Sequence, residues 1–253
     1  VAHGVRIEIV ANERHVLERA ASLLPVGSQP VELSEVDASY RFSEDPSGAG
    51  HVLSIDGERI AGPGPLDQVL ENFEPHLTVR IAERAPQHVF VHAGVVGWRG
   101  RAVLLPGYSF AGKTTLVAEL VRAGASYYSD EYALLDREGR VHPYPRALQM
   151  RKPGERTQTR LAVNELGGTV GREPLAVGLI AFCRYKSGAR WRPRRVSPGR
   201  AVLEMFAYTM SARYAPETAL STLQRAVTGA TLLKGTRGDA AQLVDFISGS
   251  FDA

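Results

Sequence analysis

The chain has 253 residues, 44% of them hydrophobic and 23% charged, which is ordinary globular composition with enough apolar matter for a sizeable core. Its net charge of +3 tolerates an anionic ligand without demanding nucleic acid, and no RNA- or DNA-binding signature is present. The single cysteine, Cys183, excludes a disulfide within the chain and a cysteine-rich metal site, and no apolar stretch approaches the roughly 18 residues of a membrane span. No signal peptide is expected, and the cysteine usage fits a reducing, cytoplasmic setting.

Residues 5–10 alternate as a short strand, and 13–24 have helical spacing up to Pro25. Residues 31–42 read as a strand region, followed by a loop rich in Pro, Gly and Ser at 45–50. The runs 51–55 and 58–61 flank Asp56-Gly57, a hairpin signal. Residues 66–83 are apolar at helical spacing, with Pro75 expected to interrupt or end a first helix. Residues 1–85 therefore read as a small α+β unit in a supporting role, ahead of a second domain over 86–253.

Two apolar runs, 89–98 and 101–105, flank Arg99-Gly100. A two-residue turn there pairs positions whose numbers sum to 199, which sets His92 opposite Gly107. Gly107, Gly112, Lys113 and Thr114 fill the pattern G-x-x-x-x-G-K-[ST], with an apolar strand before and an apolar helix after. Such a loop aims backbone N–H groups, and the positive end of the helix behind it, at phosphate. Lys113 is expected on the β- and γ-phosphates and Thr114 on Mg²⁺. His92 is either an imidazole beside those phosphates or a structural histidine at a strand edge.

The helix over 114–122 ends at Gly124, and a strand over 125–128 is expected parallel to 102–105. That direction brings Asp130 and Glu131 to the edge where the phosphates would lie. There one can hold metal and the other can accept a proton; the alternative is a solvated acidic turn. Residues 132–135 and 140–142 form a further hairpin, with His142 on the surface and without an evident partner. A short strand over 147–151 precedes a polar, glycine-rich stretch, 153–173, that reads as a mobile loop or lid. An apolar strand over 175–185 leads to seven basic residues between Arg184 and Arg200. These read as a hairpin with a solvated charged face, except Arg184, which ends a buried strand and is a candidate phosphate ligand. Helices over 202–210, 217–227 and 240–247 and a short strand over 231–233 complete the chain, with Asp239 as a helix N-cap.

His92-Ala93-Gly94, the hairpin, the loop from Gly107 through Tyr108, Ser109, Phe110, Ala111, Gly112, Lys113 and Thr114 to Thr115, and the Asp130-Glu131 pair together resemble the HPr kinase/phosphorylase family. The resemblance is closest to its short HPr-kinase-like members, some of which phosphorylate a serine on a ribosomally made peptide, lasso-peptide precursors included. It covers residues 88–151 well, 175–247 more weakly, and 1–85 only in general character. It implies an α/β fold with α+β character: a P-loop domain with a mixed sheet, similar to that of phosphoenolpyruvate carboxykinase, preceded by the small N-terminal unit. It implies that residues 107–115 hold ATP and Mg²⁺, that His92 lies near the γ-phosphate, that Asp130 is the base, and that Glu131 matches a second acid that is usually aspartate. Ala111 stands where the family more often has another residue pattern, Gly-x-Gly-Lys-Ser. The signature of the reverse, phosphorolytic reaction is not matched.

The expectation is an ATP- and Mg²⁺-dependent kinase acting on a serine of a peptide or small protein, with no nucleic acid or membrane partner and homo-oligomerisation left open. Its catalytic residues are Asp130, His92 and Lys113, its nucleotide ligands residues 107–115 and Arg184, and its metal ligands Thr114, Asp130 and Glu131. A kinase of a free amino acid or sugar, a nucleotide-binding regulator without transfer activity, and a decarboxylating carboxykinase are the alternatives. The last would need a second metal site and an oxaloacetate pocket, and the sequence displays neither.

Overall fold

The computed structural model describes residues 1–32, 35–108, 111–151 and 158–250. Across these the protein is mixed α/β, with six α-helices and sheets of four, two and eight strands. None of the described helices is long and apolar enough to cross a membrane. The chain divides into two units, Val1–Gln87 and His88–Ala253.

The first unit runs β1 (Ile7–Ala11), α1 (Arg14–Ala21), β2 (Ala38–Glu44), β3 (His51–Ile55), β4 (Glu58–Gly64) and α2 (Leu66–Arg84). The sheet order is β1-β2-β3-β4, with β1 parallel to β2 and the other pairs antiparallel. Asp56 (φ 49°) and Gly57 (φ 90°) both turn left-handed, as a tight hairpin between twisted strands requires. Tyr40 and Phe42 from β2 meet Phe73 edge-on, with ring centroids 5.2 Å apart in both pairs. Contrary to expectation, α2 continues through Pro75. Pro75 and Glu71, whose carbonyl loses its partner there, are both exposed, so water can take the place of the missing N–H. Phe73, Leu77 and Ile81 continue the buried face across the proline.

The second unit begins with the hairpin β5 (Val89–Trp98) and β6 (Arg101–Pro106). Its register pairs Ala93 with Pro106 and Trp98 with Arg101, the pairing that sums to 199. Then come α3 (Lys113–Arg122), β7 (Ser126–Ser129), β8 (Tyr132–Leu135), β9 (Val141–His142), β10 (Leu148–Arg151) and β11 (Gln158–Leu161). After a 3-10 turn at Val163–Leu166 follow β12 (Val177–Tyr185), β13 (Arg194–Arg195), α4 (Pro198–Phe206), α5 (Pro216–Val227), β14 (Thr231–Arg237) and α6 (Ala240–Ser250). The large sheet is ordered β13-β14-β12-β6-β5-β8-β9, with β7 also on β5. β12 is parallel to both β6 and β14, so the C-terminal ends of β6, β12 and β14 share one edge. β7 runs in the direction of β6, with β5 between them.

Period-two alternation divides this sheet between two cores. Val91, Ala93, Val95, Ala102 and Leu104 pack with α4 and α5, whereas Val96, Val103 and Leu105 pack with α3 and α6. A Cβ on Gly94 would stand 2.7 Å from Val117, so the glycine lets α3 lie close on β5.

Three expectations are corrected here. Residues 158–173 are an ordered wall of the α3 core and not a loose loop: β11 pairs with β10, Tyr127 donates its N–H to the Thr169 carbonyl (2.8 Å), and Gly171 donates to that of Tyr127 (2.8 Å). The glycines there mark close approach, since a Cβ would stand 2.1 Å from Val121 at Gly168 and 2.0 Å from Tyr128 at Gly171. Lys152 to Thr157 lie outside the described residues. The basic segment is not a hairpin on β12, because β13 pairs with β14 instead. His142 has a partner: its Nε2 lies 2.8 Å from Asp136 Oδ2, and its ring meets that of His88 edge-on. Burial acts to raise the Asp136 pKa, but His142 and the N–H groups of Arg140 and Glu138 hold it below its ordinary value.

Candidate functional site

β6 delivers the chain to Gly107, whose N–H donates to the His92 carbonyl at 3.1 Å and continues the hairpin pairing one step beyond the strand. His92 and the glycine-rich loop are thereby fixed side by side. Ser109 and Phe110 lie outside the described residues. Ala111 donates its N–H to the Tyr108 carbonyl, and Gly112 caps α3 in the left-handed region at φ 76°. The first-turn N–H groups, those of Lys113, Thr114 and Thr115, have no acceptor within their own helix and carry its partial positive charge. Thr114 is half-buried and Thr115 exposed.

Lys113 is 8% exposed, and its ammonium donates to the Tyr108 carbonyl at 2.7 Å. Burial lowers its pKa to about 8, against the opposing pull of Asp130 and Glu131. Both carboxylates are thus electrostatically coupled to the loop lysine. The His92 imidazole packs edge-on to Tyr132. Burial first, and then the charge of Lys113, lowers its pKa to about 4, so His92 is neutral at pH 7.

Asp130 follows β7, and Glu131 precedes β8. Ser129 Oγ accepts the N–H groups of Glu131 (3.1 Å) and Tyr132 (3.0 Å), which fixes the turn that presents both acids. The Tyr127 hydroxyl lies 2.9 Å from both Asp130 Oδ1 and the Arg146 carbonyl, a proton shared between two acceptors. Burial, reinforced by the Asp130 charge, pushes the Tyr127 phenol well above its ordinary pKa, so it stays a donor. Arg146 donates to Glu131 Oε2 at 2.8 Å. Asp130 forms no ion pair among the described residues.

Behind the loop stands Arg237, at the end of β14 and 3% exposed. Its Nη2 donates to the Gly112 carbonyl at 2.8 Å and its Nη1 to that of Gly238 at 3.2 Å, with the guanidinium carbon 5.5 Å from the Tyr185 ring centroid. Sequence reading missed Arg237, Tyr127 and Arg146. β14 runs past Leu233 through Gly235 to Arg237, and a glycine there masked the strand's continuation; Trp191 packs where a Cβ would be.

Beside the loop opens a cavity of about 710 Å³ over the ends of β6, β12 and β14. Gly107, Tyr108 and Ala111 form its wall on the loop side, and Arg184 lines it from β12. The expected site residues thus fall into two groups about the loop. Arg184 lies in the cavity, whereas Lys113 and the three groups electrostatically coupled to it, Asp130, Glu131 and His92, are not among its described lining residues.

Among the described residues no three metal-ligating side chains form a cluster. Mg²⁺ needs no such cluster, because it is typically held by one or two carboxylates together with phosphate and water. An Asp130 carboxylate outside any ion pair among the described residues and a hydroxyl in the first turn of α3 fit that hard, oxygen-seeking ion. Comparison with protein-family models and with curated proteins returns no match.

Proposed function

We propose that this protein is an ATP- and Mg²⁺-dependent kinase that transfers the γ-phosphoryl group to a hydroxyl, on a serine of a peptide or small protein, within an HPr-kinase-like P-loop domain. One observation carries this reading. A glycine-rich loop, a helix N-terminus, a buried lysine and two electrostatically coupled carboxylates are held together by backbone pairing at the end of one hairpin. The antiparallel strand before the loop supports likeness to the phosphoenolpyruvate carboxykinase fold, since most P-loop sheets are parallel at that position.

In this mechanism the backbone of residues 107–115 and the Lys113 ammonium bind the β- and γ-phosphates. Thr114 and Asp130, with Glu131 if it parts from Arg146, would hold Mg²⁺, which when bound neutralises phosphate charge. Asp130 takes the acceptor proton as the serine oxygen bonds to the γ-phosphorus and the bond to the β-phosphate oxygen breaks, releasing ADP. Tyr127 donates to Asp130 Oδ1 and so fixes the orientation of the carboxylate. Neutral His92 contributes no charge and hydrogen-bonds the transferring group. Charge neutralisation supplies most of the rate, and the base typically about 10²–10⁴-fold.

The test is ATP turnover with serine peptides and, separately, with free amino acids and sugars. Peptide-dependent ADP release that Asp130→Asn abolishes supports the reading. Turnover on a metabolite alone moves the acceptor to the small-molecule class, and normal turnover by Asp130→Asn refutes the base assignment.

A further inference from the structure

We infer that the cavity beside the loop takes the nucleoside half of the nucleotide, so that the acceptor hydroxyl approaches from the opposite side, that of Asp130 and Glu131. This rests on the nucleotide reading of the loop but adds a direction to it.

The sheet order carries the inference. Counting from β6, the cavity is built on one side, from β12, β14 and the segment leading into β13. The two carboxylates come from the other side, where β7 and β8 pair with β5. A γ-phosphate within reach of Lys113 and Asp130 leaves the rest of the nucleotide running past Gly107, Tyr108 and Ala111, the wall shared by loop and cavity. The volume of about 710 Å³ lies within the roughly 300–1,000 Å³ usual for small-molecule sites.

The lining chemistry agrees. Lys234 is paired with Glu204 at 2.6 Å, the sole carboxylate among the described residues of the lining. Arg184, Arg192 and Arg194 have no carboxylate partner among the described residues. Tyr108, Tyr185 and Tyr208 supply ring surface, with Tyr108 edge-on to Tyr208 at 4.7 Å. Unpaired guanidinium groups beside aromatic rings suit a planar base carried on an anionic chain. Arg184, one strand from the loop, is placed for the α-phosphate; Arg192 and Arg194, beyond β14, are placed for the nucleoside.

The experiment compares binding of ATP and of inorganic tripolyphosphate, each with Mg²⁺, by calorimetry. Wild type, Arg184→Gln, the double variant Arg192→Gln/Arg194→Gln and Lys113→Ala are measured. All three arginines are exposed, so their replacement leaves the fold intact, which circular dichroism verifies. The double variant should lose about tenfold or more in ATP affinity and keep its tripolyphosphate affinity. Arg184→Gln should weaken both probes. If the double variant weakens both probes equally, or neither, the nucleoside assignment is overturned, and with neither changed the cavity falls to the acceptor. Dependence of both probes on Lys113 in that case leaves the kinase reading standing. Wild type that binds neither probe overturns both inferences.

Discussion

Replacing Gly112 by alanine tests whether the loop is set by Arg237. Alanine at φ 76° costs about 1–2 kcal/mol in backbone strain. Its Cβ would also stand 2.7 Å from Arg237 Nη2, so the guanidinium must withdraw from the Gly112 carbonyl it holds at 2.8 Å. A hydrogen bond from a charged donor contributes about 1.5–3 kcal/mol. The total is about 2.5–5 kcal/mol, or a fall of roughly 10 °C in Tm for a chain of this size. Arg237→Met removes the same bond by another route, so the bond is counted once in the double variant. Gly112→Ala/Arg237→Met should therefore be less destabilised than the two single changes added together, by about 1.5–3 kcal/mol. Urea denaturation of the four proteins measures this coupling. Additive effects, or Gly112→Ala costing no more than its backbone strain, would refute the idea that Arg237 pins the cap of α3.

Lys113→Met in metal-free buffer should raise stability at pH 7, because burial depresses the lysine pKa from 10.5 to about 8 and penalises the charged form. That penalty is about 3 kcal/mol before the lost bond to Tyr108, which has a charged donor, removes about 1.5–3 kcal/mol, so the net gain is at most about 1.5 kcal/mol. The unfolded chain holds the lysine proton more tightly, so wild-type stability should rise between pH 8 and 10.5 and the variant's advantage should vanish over that window, as thermal scans at pH 7, 9 and 10.5 would record. Gly94→Ala should cost about 1–3 kcal/mol by pushing Val117 and α3 off β5, visible as a lower Tm. His92, with a pKa of about 4, should impose no titration on transfer between pH 6 and 8, and a proton-linked step in that range that His92→Gln removes would contradict its neutral state.

Much of the second unit was legible because its signals are local. The Arg99-Gly100 turn fixes the β5–β6 register, and the register alone puts His92 beside Gly107. The direction of β7 follows from one strand, one helix and one return. What was not legible depends on long-range packing. Pro75 interrupts nothing because solvent covers the carbonyl it orphans. Gly168 and Gly171 look like a loop in sequence but serve close approach to Val121 and Tyr128. Arg192 and Arg194 read as a solvated edge, and only the placement of β13 on β14 turns them toward the cavity. Tyr127 reads only as part of a short strand, and its bond to Asp130 depends on how the β7–β8 turn folds.

Calorimetric titration of ATP with Mg²⁺ into the wild-type protein and into Lys113→Ala tests the central claim most directly. Saturable binding to the wild type that Lys113→Ala removes is the predicted result, and it would assign the loop to a nucleotide phosphate. A folded wild type that binds no ATP, or that binds it equally well without the lysine, would contradict the account.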